Sequence, residues 1–191
     1  MSMRQPISIL SFSGSLRQGS FNTALLRAAA ELLPEGMTLE IFDLTPIPFF
    51  NADLEVKGLP EAVKIFKNKI AAADALLIAT PEYNYSIPGV LKNAIDWASR
   101  LPKDSPLNGK PAAMLGAGGM LGTVRAQGHL RDILLHNNLL VLNKPEVYIA
   151  RAAEKFDAAG LLIDEPTRQR LRELLTALHD WTLRLSGNAK L

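Results

Sequence analysis

The chain has 191 residues, 48% of them hydrophobic and 21% charged, with a formal net charge of +2. One domain spanning residues 1–191 is therefore the expectation, and so weak a charge with no dense Lys/Arg cluster argues against nucleic acid as a partner. The absence of cysteine excludes disulfides, thiolate nucleophiles and Cys-based metal sites, and no apolar run approaches the ~20 residues of a membrane span.

The N-terminal Met1-Ser2-Met3-Arg4-Gln5 has no apolar core of a signal peptide, so a cytoplasmic chain that does not touch the membrane is expected. His129, His136 and His179 form no spaced ligand set with carboxylates, and His129 and His136 read as ordinary residues of one helix. No metal site is expected. The chemistry must come from a bound cofactor or from hydroxyls and carboxylates.

In chain order, Ile7–Phe12 is short and almost continuously apolar, the mark of a buried strand. Ser13-Gly14-Ser15-Leu16-Arg17-Gln18-Gly19-Ser20-Phe21-Asn22 follows, and then a helix with Phe21, Ala24, Leu25, Ala28, Ala29 and Leu32 on one face. Pro34 and Gly36 stop it. Thr38–Leu44 alternates, with Leu39 and Ile41 set against Glu40 and Asp43, as suits a strand near a sheet edge. Thr45–Asp53 holds two prolines and three large apolar residues, so it is irregular yet must cover a pocket wall or a subunit contact.

Pro60 opens a helix with Val63, Phe66, Ile70 and Ala73 inward, and Ala75–Thr80 is apolar enough for the sheet centre. After Pro81–Gly89, a helix from Pro88 turns Val90, Leu91, Ala94, Ile95, Ala98 and Leu101 inward. Pro111–Leu115 is the fourth strand, ending in the glycine-rich Gly116–Gly122, and Thr123–Asn137 is helical despite Gly128. Leu139–Leu142 makes a fifth strand, resumed at Val147–Ile149. Beyond a short excursion around Phe156, Asp157 and Gly160, Asp164 and Pro166 start a last helix that buries Leu171, Leu174, Leu175, Leu178, Trp181 and Leu185. Five strands alternating with helices imply an α/β fold, a parallel sheet covered on both faces, and the arrangement assumed for it is the three-layer, doubly wound sandwich of flavodoxin-like order 2-1-3-4-5.

In that order the first, third and fourth strands are neighbours at their carboxyl ends, and the winding reverses between the first and third. Ligands of such sheets bind there. The chemically rich loops follow those same three strands. The first is a strand, small-residue loop and helix, the sequence form of a phosphate cradle, with Ser15, Ser20, Asn22 and Arg17 as donors. Gly14-x4-Gly19 imitates a triphosphate loop, but Ser20 stands where that motif needs lysine, so one phosphate monoester is the better fit. The alternative is a turn that uses Gly and Ser for shape alone.

The second loop, Pro81-Glu82-Tyr83-Asn84-Tyr85-Ser86-Ile87-Pro88-Gly89, combines flat apolar surface with fixed backbone donors and acceptors, which suits an isoalloxazine ring. The third, with Gly118 and Gly119, lets backbone approach such a ring. Its Gly116-x-Gly118 also invites a dinucleotide-binding reading, but no acidic residue ends the next strand to take a ribose hydroxyl.

Three stretches carry a family resemblance: Gly14-Ser15-Leu16-Arg17-x-x-Ser20-x-Asn22, Pro81-Glu82-Tyr83-Asn84-Tyr85-Ser86-x-Pro88-Gly89-x-Leu91-Lys92-Asn93-Ala94-Ile95-Asp96-Trp97, and Arg125-Ala126-Gln127-x-His129-Leu130-Arg131. They resemble the NADPH-dependent FMN reductase family, its bacterial quinone and chromate reductase branch above all. The resemblance implies that Ser15, Leu16, Arg17, Ser20, Phe21 and Asn22 hold the FMN phosphate, and that Pro81, Glu82, Tyr83, Asn84, Tyr85, Gly118 and Gly119 frame the ring.

It implies an enzyme in which NADPH or NADH reduces bound FMN, which then reduces quinones or similar acceptors (azo compounds, flavins, chromate). No catalytic side chain is demanded; Glu82 is read as orienting its loop or pairing with an arginine. A homodimer is implied, with a homotetramer as the larger form, although Gly128 replaces an aromatic that supports the tetramer contact with Arg125 and Glu146. A flavodoxin-type electron carrier and a flavin-binding redox sensor without turnover are the alternatives.

Overall fold

A computed structural model describes residues 6–187. Strands β1 (Ile7–Ser13), β2 (Met37–Phe42), β3 (Ala75–Ala79), β4 (Pro111–Ala117), β5 (Leu140–Val141) and β6 (Val147–Ile149) form one parallel sheet in the order β2-β1-β3-β4-β5, with β6 also on β4. β5 pairs with Pro111 and Ala112 at the start of β4, and β6 pairs with Leu115, Gly116 and Ala117 at its end. The two pieces share one edge position. They are the interrupted fifth strand that the sequence suggests, broken at Asn143-Lys144-Pro145, where the Lys144–Pro145 peptide is cis.

Side-chain alternation along the strands divides the core between the two faces. Ile7, Ile9, Leu77, Ala79, Ala113 and Leu115 pack beneath helices α1 (Phe21–Glu31) and α6 (Glu165–Leu185). On the other face Leu10, Phe12, Leu76, Ile78, Ala112 and Met114 meet α3 (Glu61–Ala72), α4 (Gly89–Ala98) and α5 (Val124–His136). Every residue of β3 and β4 is buried, because strands with helices on both sides have no solvent face. β2 at the edge is only partly covered, and Ile41, expected inward, is exposed.

Several expectations shift at element ends. The inner face of α4 includes Trp97, fully buried, whereas Leu101 lies beyond the helix in a left-handed conformation and is 56% exposed. Trp181 of α6 is half-buried and donates its indole N–H to the Leu140 carbonyl, and Leu185 is 37% exposed where the helix outruns the sheet. The proline-containing stretch is not wholly irregular: Asn51 caps a short helix, α2 (Ala52–Val56). Its chain is pinned to α4 because the Pro48 carbonyl accepts from Asn93 Nδ2 at 2.9 Å and Trp97 Nε1 at 2.8 Å, while the Phe50 N–H donates to Asn93 Oδ1.

Candidate functional site

The loops after β1, β3 and β4 are tied to one another at the carboxyl rim of the sheet. Gly14 N–H donates to the Ala79 carbonyl at 2.8 Å, and Thr80 N–H to the Leu115 carbonyl at 3.0 Å. Asn22, buried in the first turn of α1, exchanges two hydrogen bonds with Ala117 at the end of β4: Nδ2 to the carbonyl at 2.9 Å, and Oδ1 from the N–H at 3.0 Å. Its amide therefore acts as a brace between two loops, and its N–H in the helix backbone is the donor left for a ligand. Gly14 is tightly enclosed: a Cβ there would stand 3.2 Å from both Pro81 Cδ and Leu91 Cβ, which would have to yield by a few tenths of an ångström.

Ser20 is the N-cap of α1, with its hydroxyl accepting from Thr23 N–H and its carbonyl from Ala24 N–H. Those bonds satisfy the later donors of the first turn and leave the Phe21 and Asn22 N–H groups directed out of the helix end, where the dipole favours an anion. Buried Ser15 turns its hydroxyl toward Tyr83 OH at 3.4 Å. Leu16 and Arg17 are exposed, and the Arg17 guanidinium lies 5.4 Å above the Phe21 ring, which is itself stacked on Phe156 at 5.1 Å. One helix N-terminus, two hydroxyls and one exposed cation match the donor set that a phosphate monoester needs.

The loop after β3 is a miniature hairpin. Tyr83 and Ser86 exchange backbone hydrogen bonds of 3.0 Å, with Asn84 at φ 51° and Tyr85 at φ 64° between them. Two successive left-handed residues are the signature of a type I′ turn. Both tyrosine side chains and Asn84 are exposed at its tip, Pro81 is buried, and Thr80 Oγ1 donates to the Pro81 carbonyl. In the loop after β4, the Gly118 N–H donates to the Ile149 carbonyl and its own carbonyl accepts from Ala152 N–H, so both backbone groups are committed internally. Glycine is required there because a Cβ would collide with the Gly122 carbonyl. Gly119 accepts from Gly122 and Arg151, and its Cβ direction is open.

Glu82 faces away from the turn and onto α5. Its Oε2 accepts from the backbone N–H groups of Arg125 at 3.0 Å and Ala126 at 3.2 Å, and Oε1 pairs with Arg125 Nη1 at 3.3 Å. That is the arginine pairing and loop-orienting role considered for it. The Arg125 guanidinium lies 4.1 Å over the Tyr85 ring, and His129 Nδ1 is 2.9 Å from Ser86 Oγ. His129 is an exposed residue of α5, as expected, whose ring also reaches the turn.

The sequence carried one sign of this attachment. The first turn of α5 has no acidic residue; in the structure its N-cap Thr123 also makes no side-chain cap, and Glu82 takes that place. Among the described residues no group of three or more His, Asp or Glu gathers that could hold a metal ion.

A doubly wound sheet whose three rim loops meet where the winding reverses, with a helix N-terminus beside an aromatic turn, has the fold and rim of a flavodoxin-like nucleotide-binding protein. The model of the NADPH-dependent FMN reductase family matches residues 7–154, and the chain belongs to that family. It is 53% identical over 186 residues to an NAD(P)H-dependent FMN reductase of Pseudomonas aeruginosa, covering 97% of this chain and 100% of the relative. An NAD(P)H:quinone oxidoreductase of Solanum tuberosum is 47% identical, with full coverage of both chains. Among solved structures, the flavoenzyme NAD(P)H:(acceptor) oxidoreductase of Paracoccus denitrificans superposes with a TM-score of 0.83 at 35% identity, over 93% of this chain and 98% of that one. Family membership makes the protein an oxidoreductase with FMN as cofactor and NAD(P)H as hydride source.

Proposed function

We propose that the protein is an NAD(P)H:quinone oxidoreductase that works through FMN seated on the three rim loops. The observation that carries this reading is the meeting of the α1 N-terminus, the Tyr83–Ser86 turn and the Gly118–Gly119 loop at one point of the sheet. When bound, FMN supplies the chemistry, taking a hydride from the nicotinamide and passing two electrons to the acceptor.

The protein's part is placement. The N–H groups of Phe21 and Asn22, the hydroxyls of Ser15 and Ser20 and the charge of Arg17 hold the phosphate, with Leu16 and Phe21 shaping the cradle. Pro81, Tyr83, Asn84 and Tyr85 give the ring a wall and fixed backbone groups, Glu82 sets the attitude of that wall, and Gly119 lets the third loop come close. No side chain is asked to move a proton. Quinones are the first class of acceptor in this reading because relatives with full coverage carry that name. The assembly is a homodimer, a reading supported by apolar residues exposed beside the rim, among them Met120 at 81%.

The test is direct. Protein loaded with FMN and mixed with NADPH without oxygen should lose its visible flavin band and regain it on adding a benzoquinone, at catalytic ratios. A preparation that binds no FMN would overturn the site. A flavin that NADPH and NADH both fail to bleach would leave a carrier instead of an enzyme. Light scattering of the eluting protein checks the dimer.

A further inference from the structure

Two facts about the Tyr83–Ser86 turn belong together. Its tip is unfavourable by itself: type I′ turns want Asn-Gly, and here the second left-handed position holds a tyrosine, whose Cβ crowds the backbone at positive φ. Such conformations persist only where their surroundings over-determine them. The surroundings that hold its polar and aromatic side chains are mostly one helix face. Among the described residues, the hydrogen bonds and ring contact that reach those side chains from outside the loop, the 3.4 Å approach of Ser15 to Tyr83 apart, come from the first two turns of α5.

Glu82 is the hinge of this arrangement. Its side chain is 13% exposed and caps α5 as an N-cap aspartate would, from a different loop. The same carboxylate holds Arg125, and Arg125 covers Tyr85. Charge-assisted hydrogen bonds to two backbone amides are strong and directional, so the distance between the turn and α5 is fixed at the root while the ring contact is fixed at the tip.

We propose that Glu82 and Arg125 are positioning residues for the flavin ring: they act through Tyr85 and the turn backbone, setting a geometry that the turn does not hold by itself. This rests on the reading that FMN lies against the turn.

The experiment is an FMN titration, followed by flavin fluorescence quenching, of wild type, Glu82→Ala, Arg125→Met and the double variant, with visible circular dichroism of each bound flavin. Each single change should weaken FMN roughly five- to tenfold, the range expected when part of a strong hydrogen bond's free energy reaches the ligand. The double variant should be no worse than Glu82→Ala, because loss of the carboxylate already frees the Arg125 side chain. Glu82→Gln keeps an acceptor for the two amides and should recover most of the lost affinity. The circular dichroism of the bound flavin should change in both single variants.

Affinities within twofold of wild type and an unchanged dichroic band would overturn the proposal, even with a lower melting temperature of the apoprotein, since a simple cap of α5 would act on stability alone. If Glu82→Ala does not fold, Arg125→Met decides, because it leaves both amide bonds of Glu82 in place. Wild type is titrated first; its failure to bind FMN would remove the site reading itself, a result distinct from variants that bind normally.

Discussion

In the proposed site the phosphate-side loop and the ring-side turn would do adjacent jobs, and they are built by opposite means. The start of α1 is locally satisfied: Ser20 caps its own helix, the cap leaves two N–H groups free as any helix start does, and the residues carrying side-chain donors lie within eight positions of one another in the chain. The Tyr83–Ser86 turn carries two left-handed residues and depends on a helix some forty residues further along. An anion site is built from backbone that a helix supplies at no extra cost in strain. A flat ring needs surface at a set tilt, and that tilt is imposed from outside.

The sharpest way to break the contrast is to remove the remote tie that a side chain of the phosphate loop makes to backbone. Asn22→Ala would leave the N–H and carbonyl of Ala117 without their partner in a buried place, at roughly 3 kcal/mol for the two groups. We expect urea unfolding of the apoprotein to show that loss. If the loss stays under about 1 kcal/mol, water replaces the amide and the two loops are less firmly coupled than the geometry implies.

A comparison of caps comes next. Asp164 caps α6 through the N–H and hydroxyl of Thr167 and pairs with Lys155 at 2.7 Å, and the Lys155 ammonium followed by the Thr167 hydroxyl holds its carboxyl below the usual range. A carboxyl whose pKa falls on folding stabilises the native state above the unfolded value of about 3.9, and that contribution disappears as pH drops through the lower folded value. Asp164→Ala should therefore cost about 1.5 kcal/mol near neutrality, and the difference from wild type should shrink below about pH 4. Thermal melts from pH 7 to pH 3 check both the size and the sign. Ser20→Ala at α1 should cost about 1 kcal/mol with no such pH dependence, and it should also weaken FMN through the phosphate end. Equal FMN affinity in Ser20→Ala would move the phosphate away from this helix.

These differences explain what could be read from the chain. The strands and the two-faced core rest on short-range pattern: Ile7–Phe12 and Ala75–Thr80 are continuously apolar, and Ser20 stands directly before an amphipathic run; the strand order came from the winding common to such alternating chains, not from any local signal. The contacts that shape the ring side join residues far apart. Nothing local to Glu82 says that its partners are the amides of Arg125 and Ala126, and nothing local to Asn22 says that it will brace Ala117. Trp97 was legible as part of a motif yet not as core, because its burial comes from the Pro46–Phe50 chain crossing α4. Leu101 and Leu185 keep helical spacing but lie where their helices end or outrun the sheet, so periodicity alone misplaces them.

The smallest expected change in stability is at Tyr85, and it separates strain from function most cleanly. Glycine there would release the crowding of Cβ at φ 64°, a gain of about 1 kcal/mol, and would lose the ring beneath the Arg125 guanidinium, a loss of about 0.5–1 kcal/mol at an exposed site. The two nearly cancel, so Tyr85→Gly apoprotein should melt within about 0.5 kcal/mol of wild type. Its FMN affinity should still fall, because the aromatic wall is gone and glycine leaves the turn free to sample other shapes. Tyr85→Phe keeps the ring and the φ preference, and should match wild type in stability. A Tyr85→Gly protein that binds FMN as tightly as wild type would mean that the turn's backbone alone serves the flavin and that the strain at Tyr85 has another origin.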